Sequence, residues 1–188
     1  MKNLTSTERF YFKSISSTWK KIDWDKVNIL SNDLLNAWRI GSKVFICGNG
    51  GSAANANHLA NDLLYGISPK EGKGIKVHSL CANIAVNTCL ANDTGYENIF
   101  SRQLSTLAES KDILIVFSGS GNSPNVVEAL LKAHDMRMIT HAILGFDGGK
   151  CKEIADNPIH IPIDNMQVAE DFQIMIGHVL MMNLKGKN

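Results

Sequence analysis

Two short loops rich in glycine and serine constrain the fold of this chain more than any other feature of its sequence. The first reads Cys-Gly-Asn-Gly-Gly-Ser over residues 47–52, and the second reads Ser-Gly-Ser-Gly-Asn-Ser over residues 118–123. Each follows an apolar run typical of a strand and precedes a helix-forming stretch. Exposed backbone N–H groups, serine hydroxyls and the positive end of a helix together favour binding of a phosphate or another small anion. Two such loops indicate a phosphorylated ligand.

The second loop carries the stronger phosphate signal. Ser118, Ser120 and Ser123 place three hydroxyls around two glycines, and Ser123 is positioned to cap a helix whose first residue is Pro124. The alternative is that glycine and serine only make the tight turn by which a parallel strand enters its helix. Neither loop contains Gly-x-Gly-x-x-Gly, and neither is followed by Gly-Lys-Ser or Gly-Lys-Thr. The sequence therefore favours a sugar phosphate over a dinucleotide or ATP.

The spacing of apolar residues predicts strands that alternate with helices. Helical stretches are expected at residues 5–40, 52–64, 83–108, 124–134 and 168–184, and strands at residues 43–47, 75–80, 112–117, 139–145 and 159–163. This alternation predicts an α/β fold, a doubly wound parallel sheet covered by helices on both faces. Ligands in such sheets bind beyond the carboxyl ends of the strands, which is where both loops fall.

Length and charge limit the classes of function. The chain has 188 residues, 44% of them hydrophobic, which suits a single domain over residues 1–188 with residues 1–40 as an N-terminal helical extension. A net charge of +1 provides no broad field for nucleic acid or an anionic membrane. The first residues lack the apolar core of a signal peptide, and no apolar run is long enough to span a bilayer, so we expect a cytoplasmic protein. The four cysteines show no paired spacing and are expected to be reduced thiols, most of them buried in strands.

Two helices carry polar side chains suited to metal binding or proton transfer. His58 and Asp62 are four residues apart on the helix after the first loop and therefore share one face. The last helix carries Glu170, Asp171 and His178 within an otherwise apolar stretch. Two histidines and two carboxylates could form a Zn²⁺ site or an acid–base pair. Equally, His58 and Asp62 could form an ordinary surface pair, and His178 could be a core histidine bonded to a backbone carbonyl.

Three motifs in a fixed order carry a resemblance to a known family. They are Cys-Gly-Asn-Gly-Gly-Ser-Ala-Ala with His58-x-x-x-Asp62, then Ala-Asn-Asp-x-Gly-Tyr-x-x-x-Phe-Ser-Arg at residues 91–102, then Ser-Gly-Ser-Gly-Asn-Ser-Pro-Asn-Val from residue 118. From about residue 10 to residue 184 the chain resembles the phosphoheptose isomerase branch of the sugar isomerase (SIS) domain family. The resemblance implies a flavodoxin-like homotetramer with zinc-containing active sites between subunits. It also implies an aldose–ketose isomerase that converts sedoheptulose 7-phosphate to D-glycero-D-manno-heptose 7-phosphate through an enediol, on the way to the heptose of lipopolysaccharide or capsule.

The same resemblance implies a role for each matching residue. Substrate contacts fall to Asn49, Gly50, Gly51, Ser52, Asp62, Asn92, Asp93, Ser118, Gly119, Ser120, Ser123 and Glu170. The resemblance also implies one zinc ion per subunit, with four ligands: His58, Asp62, Glu170 and His178. Asp62 is then the catalytic base and His178 the catalytic acid.

Three positions depart from the family pattern. Asp62 stands where the family has Glu, Glu170 stands where it has Gln, and Gly66 stands where it has Arg. The shorter aspartate retracts its carboxylate by ~1.5 Å, and the glutamate adds negative charge beside the metal. Asp171 is seven residues from His178 and lies on the same side of the helix, which makes it an alternative ligand to Glu170. The departures leave open an isomerase of another ketose phosphate, or a non-catalytic module that binds a sugar phosphate or a protein partner.

Overall fold

An open parallel sheet with helices on both faces forms the frame of the molecule. The computed structural model describes residues 4–187, and its sheet has the strand order β2-β1-β3-β4-β5, with every pair parallel. The strands are β1 (Lys43–Gly48), β2 (Lys76–Ser79), β3 (Ile113–Ser118), β4 (Ile139–Leu144) and β5 (Asn157–His160). The doubly wound α/β sheet expected from the sequence is thus confirmed. The last strand lies at residues 157–160 rather than 159–163, because Asn157 and Pro158 already pair with β4.

The helices follow the expected alternation, with two local differences. They are α1 (Ser6–Thr18), α2 (Trp24–Ile40), α3 (Gly51–Asn61), α4 (Ile84–Thr94), α5 (Ser101–Leu107), α6 (Pro124–Asp135), α7 (Gly149–Ile154) and α8 (Met166–Leu184). The helix expected over residues 52–64 continues beyond α3 as a π-helical turn, Asp62–Gly66. The sequence does not predict α7, because its six residues are too few to show an apolar period. Over residues 4–187, no helix combines the length and the apolar character that crossing a membrane requires.

Alternate residues of the central strands contribute to two separate cores. In β1, Val44 and Ile46 belong to the cluster under α2, α3 and α8, whereas Phe45 and Cys47 belong to the cluster under α4, α5, α6 and α7. Successive side chains of a strand point to opposite faces of its sheet. All four are fully buried because helices cover both faces, which explains why the strand reads as one apolar run.

The two N-terminal helices pack differently. Asp23 caps the N-terminus of α2, and its side chain accepts a hydrogen bond from the backbone N–H of Asp25 at 3.0 Å. Leu34 of α2 is fully buried in the first core, so this helix is part of the main packing of the domain. In α1, by contrast, Phe10 and Phe12 are 59% and 58% exposed. The helical extension expected over residues 1–40 is therefore two helices with different roles, and its residues 1–3 lie outside the described part of the chain.

The expectation that most cysteines lie buried in strands is wrong, because only Cys47 does. Cys47 lies in β1, but Cys151 is buried in α7, Cys81 is partly buried after β2, and Cys89 is exposed in α4. A thiol packs as a small apolar group in helices as well as in strands, which is why the strand assignment fails. Burial raises the pKa of the Cys151 thiol to about 11 and the pKa of Cys47 well above its usual value. Both are therefore protonated, unreactive thiols at neutral pH.

Candidate active site

The two glycine-rich loops meet at the point where the order of the strands reverses. Strands β1 and β3 are neighbours, and Gly48 pairs with Phe117 at their carboxyl ends. From there the chain turns to β2 on one side and to β4 on the other, which opens a crevice where ligands bind in sheets of this kind. A Cβ atom at Gly48 would lie 2.8 Å from the carbonyl oxygen of Phe117 and 2.9 Å from Ser52. Only glycine therefore allows the first loop to leave the sheet this closely.

A cavity of about 230 Å³ lies between the two loops. Its lining consists of both loops together with the start of α8: Asn49, Gly50, Gly51, Ser52, Phe117, Ser118, Gly119, Ser120, Ser123, Met166 and Glu170. The structure thus brings together all the loop residues that the resemblance assigns to substrate. Glu170, which the resemblance also assigns to substrate, lies with them. Serine residues, an asparagine and one carboxylate line the cavity together with the apolar side chains of Phe117 and Met166, a mixed lining that suits a small polar ligand with a carbon backbone.

Contacts that the sequence did not indicate hold the first loop in place. Asn49 and Asn125 exchange side-chain amide hydrogen bonds of 2.9 and 2.8 Å. The Tyr96 hydroxyl donates to Asn49 Oδ1 at 2.9 Å. Asn125 lies in the first turn of α6, so the amide pair joins the start of that helix to the first loop. The position of Asn125 directly after Ser123-Pro124 was the only signal that could have suggested this role.

The second loop differs from the sequence prediction in one hydrogen bond. Ser118 Oγ accepts from the backbone N–H of Gly121 at 2.9 Å, and Ser120 Oγ accepts from the N–H of Asn122 at 3.3 Å. Ser123 occupies the N-cap position of α6, but its side chain makes no capping hydrogen bond. The expected cap is therefore wrong as a side-chain contact, because the backbone carbonyl of Ser123 accepts from Val126 instead. Its hydroxyl lines the cavity and is available to a ligand.

A second, larger cavity of about 590 Å³ adjoins the first and shares Ser120 with it. Its lining includes Phe146, Asp147 and Asp164. Phe146 has a φ of 47°, a left-handed conformation that is uncommon for a residue other than glycine. Hydrogen bonds on both sides fix it, from its N–H to Ile163 and from His160 to its carbonyl oxygen. The open space beside the second loop is therefore bounded by a rigid wall.

Three of the expected metal ligands converge at the other end of α3. His58 Nε2 lies 3.0 Å from His178 Nε2 and 3.5 Å from Asp62 Oδ2. His178 Nε2 lies 4.0 Å from the same carboxylate oxygen. Both imidazoles are about half exposed, whereas the Asp62 carboxylate is mostly buried. The pairing of α3 with α8 creates this cluster, which helical spacing alone could not establish.

The cluster has the geometry of an open metal site. Donor atoms at 2.0–2.1 Å from a tetrahedral zinc are separated by about 3.3 Å. The three separations of 3.0, 3.5 and 4.0 Å bracket that value. Two imidazole nitrogens and one carboxylate oxygen are a donor set that zinc prefers, and three protein ligands leave a fourth position for water or substrate. The residues therefore fit a catalytic zinc.

Asp62 stands at the point where α3 changes into the π-helical turn. The N–H of Ile67 bonds to the carbonyl of Asp62, five residues earlier, instead of the usual four. Such turns are rare and frequently occur at functional sites. At Gly66, where the family has arginine, a Cβ atom would lie 3.6 Å from Asp62 Oδ1, which is ordinary contact. Gly66, which has no side chain, therefore lies directly beside Asp62.

The remaining predicted site residues lie apart from this cluster. Among the described residues, neither Glu170 nor Asp171 joins the three ligand atoms. Glu170 lines the cavity instead, and burial raises the pKa of the Asp171 carboxyl. Asn92 and Asp93 line neither cavity, but lie at the end of α4, where Asn92 donates to Asp93 at 2.7 Å. That hydrogen bond is the main reason why the pKa of Asp93 is lowered.

A buried glutamine that the sequence did not single out joins α3 to α8. The side-chain oxygen of Gln173 accepts from Ser52 Oγ at 3.0 Å and from Asn55 Nδ2 at 3.2 Å. Asn55 Nδ2 also donates to the backbone oxygen of Glu170 at 2.9 Å. Gln173 is fully buried, so this network fixes the two helices at a set distance. Both the cavity and the histidine cluster depend on that distance.

The chain is similar to known proteins in both sequence and structure. A sequence profile described as the SIS domain matches residues 10–145. The phosphoheptose isomerase of Helicobacter pylori is 43% identical over 138 residues, which cover 73% of this chain and 71% of that protein.

Two solved structures have closely similar folds over nearly the whole chain. A phosphoheptose isomerase from Neisseria gonorrhoeae is 27% identical, with a TM-score of 0.85 over 94% of this chain and 93% of that one. One from Francisella tularensis is also 27% identical, with a TM-score of 0.89 over 98% of this chain and 100% of that one. Such coverage includes the N-terminal helices as well as the sheet.

Proposed function

Because the chain belongs to the SIS domain family, we propose that it is a sugar phosphate isomerase that converts sedoheptulose 7-phosphate to D-glycero-D-manno-heptose 7-phosphate. The observation that carries the proposal is the relation between the cavity and the histidine cluster. Gly51 at the cavity and His58 at the cluster are seven residues apart on α3, a distance of about 10 Å. A seven-carbon chain with a phosphate at one end has a comparable length, since its bonds are ~1.5 Å each.

The second loop binds the phosphate in this proposal. Ser118, Ser120 and Ser123 present hydroxyls to the cavity, and the N-terminus of α6 supplies positive potential. Residues 49–52 bind hydroxyls along the chain. Binding energy from the remote phosphate then positions the reacting carbons, which is a common way to lower a barrier.

Zinc is the metal that we propose for His58, Asp62 and His178. When bound, it supplies a Lewis acid that polarises the oxygens of the sugar. Glu170, the fourth ligand expected from the resemblance, is assigned to the cavity instead, because its carboxylate lies against Gly51.

Asp62 and His178 are the proposed base and acid of the reaction. Asp62 takes the proton from C1, next to the ketone at C2, and the electron pair of that bond forms the C1=C2 double bond while His178 donates a proton to O2, which gives the enediol. Asp62 then returns a proton to C2, and O1 gives its proton to His178 as the C1 carbonyl of the aldose forms. Asp62 directs Oδ2 to the histidines, so Oδ1 is the oxygen that accepts the proton. His178 directs Nε2 to the cluster, so Nδ1 is the nitrogen that donates.

We further propose a homotetramer, with Asn92 and Asp93 completing the site of a neighbouring subunit. Support comes from α4, which contains no buried residue although it includes Ile84, Val86 and Leu90. The side chain of Ile84 is 74% exposed. Leu90 packs partly against the second core, so Ile84 is the large apolar side chain of this helix that is available for a contact with another subunit. Asn92 and Asp93 are on the same helix and have no partner in the cavities of their own chain.

The cytoplasm is the proposed location, and the proposed product supplies the heptose of lipopolysaccharide or capsule. The four free cysteines support a reducing compartment. The substrate that we propose is a phosphorylated sugar, which is itself a metabolite of the cell interior. We propose no role in binding nucleic acid or membrane.

A substrate panel tests this function. Zinc-loaded protein is incubated with sedoheptulose 7-phosphate, fructose 6-phosphate and ribulose 5-phosphate, and aldose formation is measured. We expect kcat/KM to be highest for the heptulose, because the distance of about 10 Å from Gly51 at the cavity to His58 at the cluster fits seven carbons. A preference for either shorter sugar would assign a different substrate, and no turnover by folded, zinc-loaded protein would contradict the isomerase.

A further inference from the structure

Ser52 lines the cavity at the start of α3, and its hydroxyl is bonded to a side chain of α8. Ser52 Oγ donates to Oε1 of Gln173 at 3.0 Å. Both residues are buried, since Ser52 is 3% exposed and Gln173 is 0% exposed. A serine hydroxyl has one hydrogen to donate and two lone pairs that accept. The direction of this hydrogen bond therefore decides what Ser52 can offer to a ligand.

A backbone carbonyl fixes that direction. The carbonyl oxygen of Glu170 can only accept, so the Asn55 atom that lies 2.9 Å from it is the amide nitrogen Nδ2. The same nitrogen lies 3.2 Å from the Gln173 side chain, where it needs an oxygen to accept its second hydrogen. Turning the Gln173 amide over would place two N–H donors against each other. Gln173 therefore presents Oε1 to Ser52, and the Ser52 hydroxyl has to donate.

All hydrogen bonds of the Gln173 side chain pass through this one oxygen. Its Nε2 atom has no hydrogen-bond partner within residues 4–187. Burying an amide with its N–H groups unpaired costs free energy. An apolar side chain would avoid that cost, so the glutamine is best explained by the acceptor that it provides to Ser52.

The serines of the second loop have the opposite polarity. Ser118 Oγ accepts from the N–H of Gly121 at 2.9 Å, and Ser120 Oγ accepts from the N–H of Asn122 at 3.3 Å. Each of these two serines keeps its hydroxyl hydrogen for another acceptor. Phosphate oxygens are strong acceptors, whereas a sugar hydroxyl can also donate. The second loop thus suits a phosphate, and the lone pairs of Ser52 suit a hydroxyl.

We propose that Gln173 is a positioning residue that fixes Ser52 as a hydrogen-bond acceptor, so that the first loop selects a sugar hydroxyl and the second loop takes the phosphate. The inference rests on the proposed function, since it assumes a sugar phosphate in this cavity. Ser52 lies six residues before His58 on α3, a distance of about 9 Å. The selected hydroxyl is therefore on the half of the sugar that carries the phosphate, away from the reacting carbons.

Calorimetric titrations of zinc-loaded Gln173→Met test the proposal, with sedoheptulose 7-phosphate and inorganic phosphate as separate probes. Methionine has a similar size but no oxygen to accept from Ser52. We expect the sugar phosphate to bind roughly three- to tenfold more weakly, the loss of about one neutral hydrogen bond, and inorganic phosphate to bind no more weakly than to the wild type. Gln103→Met is the matched control. Its amide donates to the carbonyls of Leu80 and Ile99 outside the cavity, so neither affinity should change.

A double variant separates positioning from a structural role. If Gln173 acts through Ser52, then Ser52→Ala alone weakens the sugar phosphate selectively, and adding Gln173→Met weakens it no further. Additive losses, or an equal loss for inorganic phosphate, would mean that the glutamine only holds α3 and α8 together. If Gln173→Met does not fold, Ser52→Ala still decides the polarity, because a loss of inorganic phosphate affinity there would make Ser52 a donor to phosphate.

Unchanged affinity for the sugar phosphate in folded Gln173→Met would also overturn the proposal. Turnover of sedoheptulose 7-phosphate by the wild type is measured separately. Binding without turnover would contradict the isomerase and leave the role of Gln173 intact, whereas no binding of the sugar phosphate would contradict both.

Discussion

At the scale of single residues, His58, Asp62 and His178 are the ligands that we propose for the metal. Their ligand atoms lie within 4.8 Å of one another, on two different helices. His58→Ala removes one of the three proposed ligands, and alanine retains the helix propensity of α3. We expect zinc affinity to fall by more than the roughly 10–100-fold that outer-sphere partners contribute, measured by competition with a chromophoric chelator.

His134→Ala is the matched control for this experiment. His134 lies on α6, where its Nε2 contacts Thr140 at 3.1 Å, outside the cluster. Its replacement should leave zinc affinity unchanged. Equal losses in the two variants would mean that the measured zinc binds elsewhere or nonspecifically.

At the scale of secondary-structure elements, the second loop and α6 allow a phosphate role to be separated from a capping role. Ser123 makes no side-chain cap, so Ser123→Ala should lower phosphate affinity and leave the melting temperature within a degree of the wild type. Asp23 does cap α2, with a hydrogen bond of 3.0 Å. Asp23→Ala should cost about 1 kcal/mol, or about 2–4 °C in melting temperature for a chain of this length, without affecting phosphate binding. The reverse pattern, measured by calorimetry with inorganic phosphate, would assign the serine to the helix rather than to the ligand.

Some of these elements could be predicted from the sequence, and others could not. Both loops and the strands before them were predictable, because apolar runs, glycines and serines are local signals. The π-helical turn at Asp62 was not, since the carbonyl oxygen of Leu63 accepts a hydrogen bond from Ile75, twelve residues later. The placement of Glu170 against Gly51 likewise depends on the packing of α8 on α3, which no local pattern encodes.

At the scale of the whole molecule, the exposed Ile84 of α4 lies in the proposed contact between subunits. Ile84→Asp places a charge at the most exposed large apolar side chain of the described residues. We expect the native mass, measured by light scattering, to fall from that of four chains, with an unchanged circular dichroism spectrum. Turnover should fall with it, because Asn92 and Asp93 would no longer reach a neighbouring site. Ile84→Val retains the apolar surface and should remain tetrameric.

A wild-type protein with the mass of one chain would contradict the assembly proposal. An Ile84→Asp variant that keeps the mass of four chains would place the contact elsewhere on the surface. Activity in a stable monomer would show that one chain contains the whole site, and that Asn92 and Asp93 contribute nothing across subunits.

Proton NMR of sedoheptulose 7-phosphate incubated with zinc-loaded protein tests the isomerase activity most directly. We expect aldoheptose anomeric signals to appear, to be lost after chelation of the metal, to return when zinc is restored, and to be absent with Asp62→Asn. The absence of an aldose signal from folded protein with zinc bound would contradict the isomerase activity. Undiminished conversion by the Asp62→Asn variant would contradict the role of Asp62 as the base.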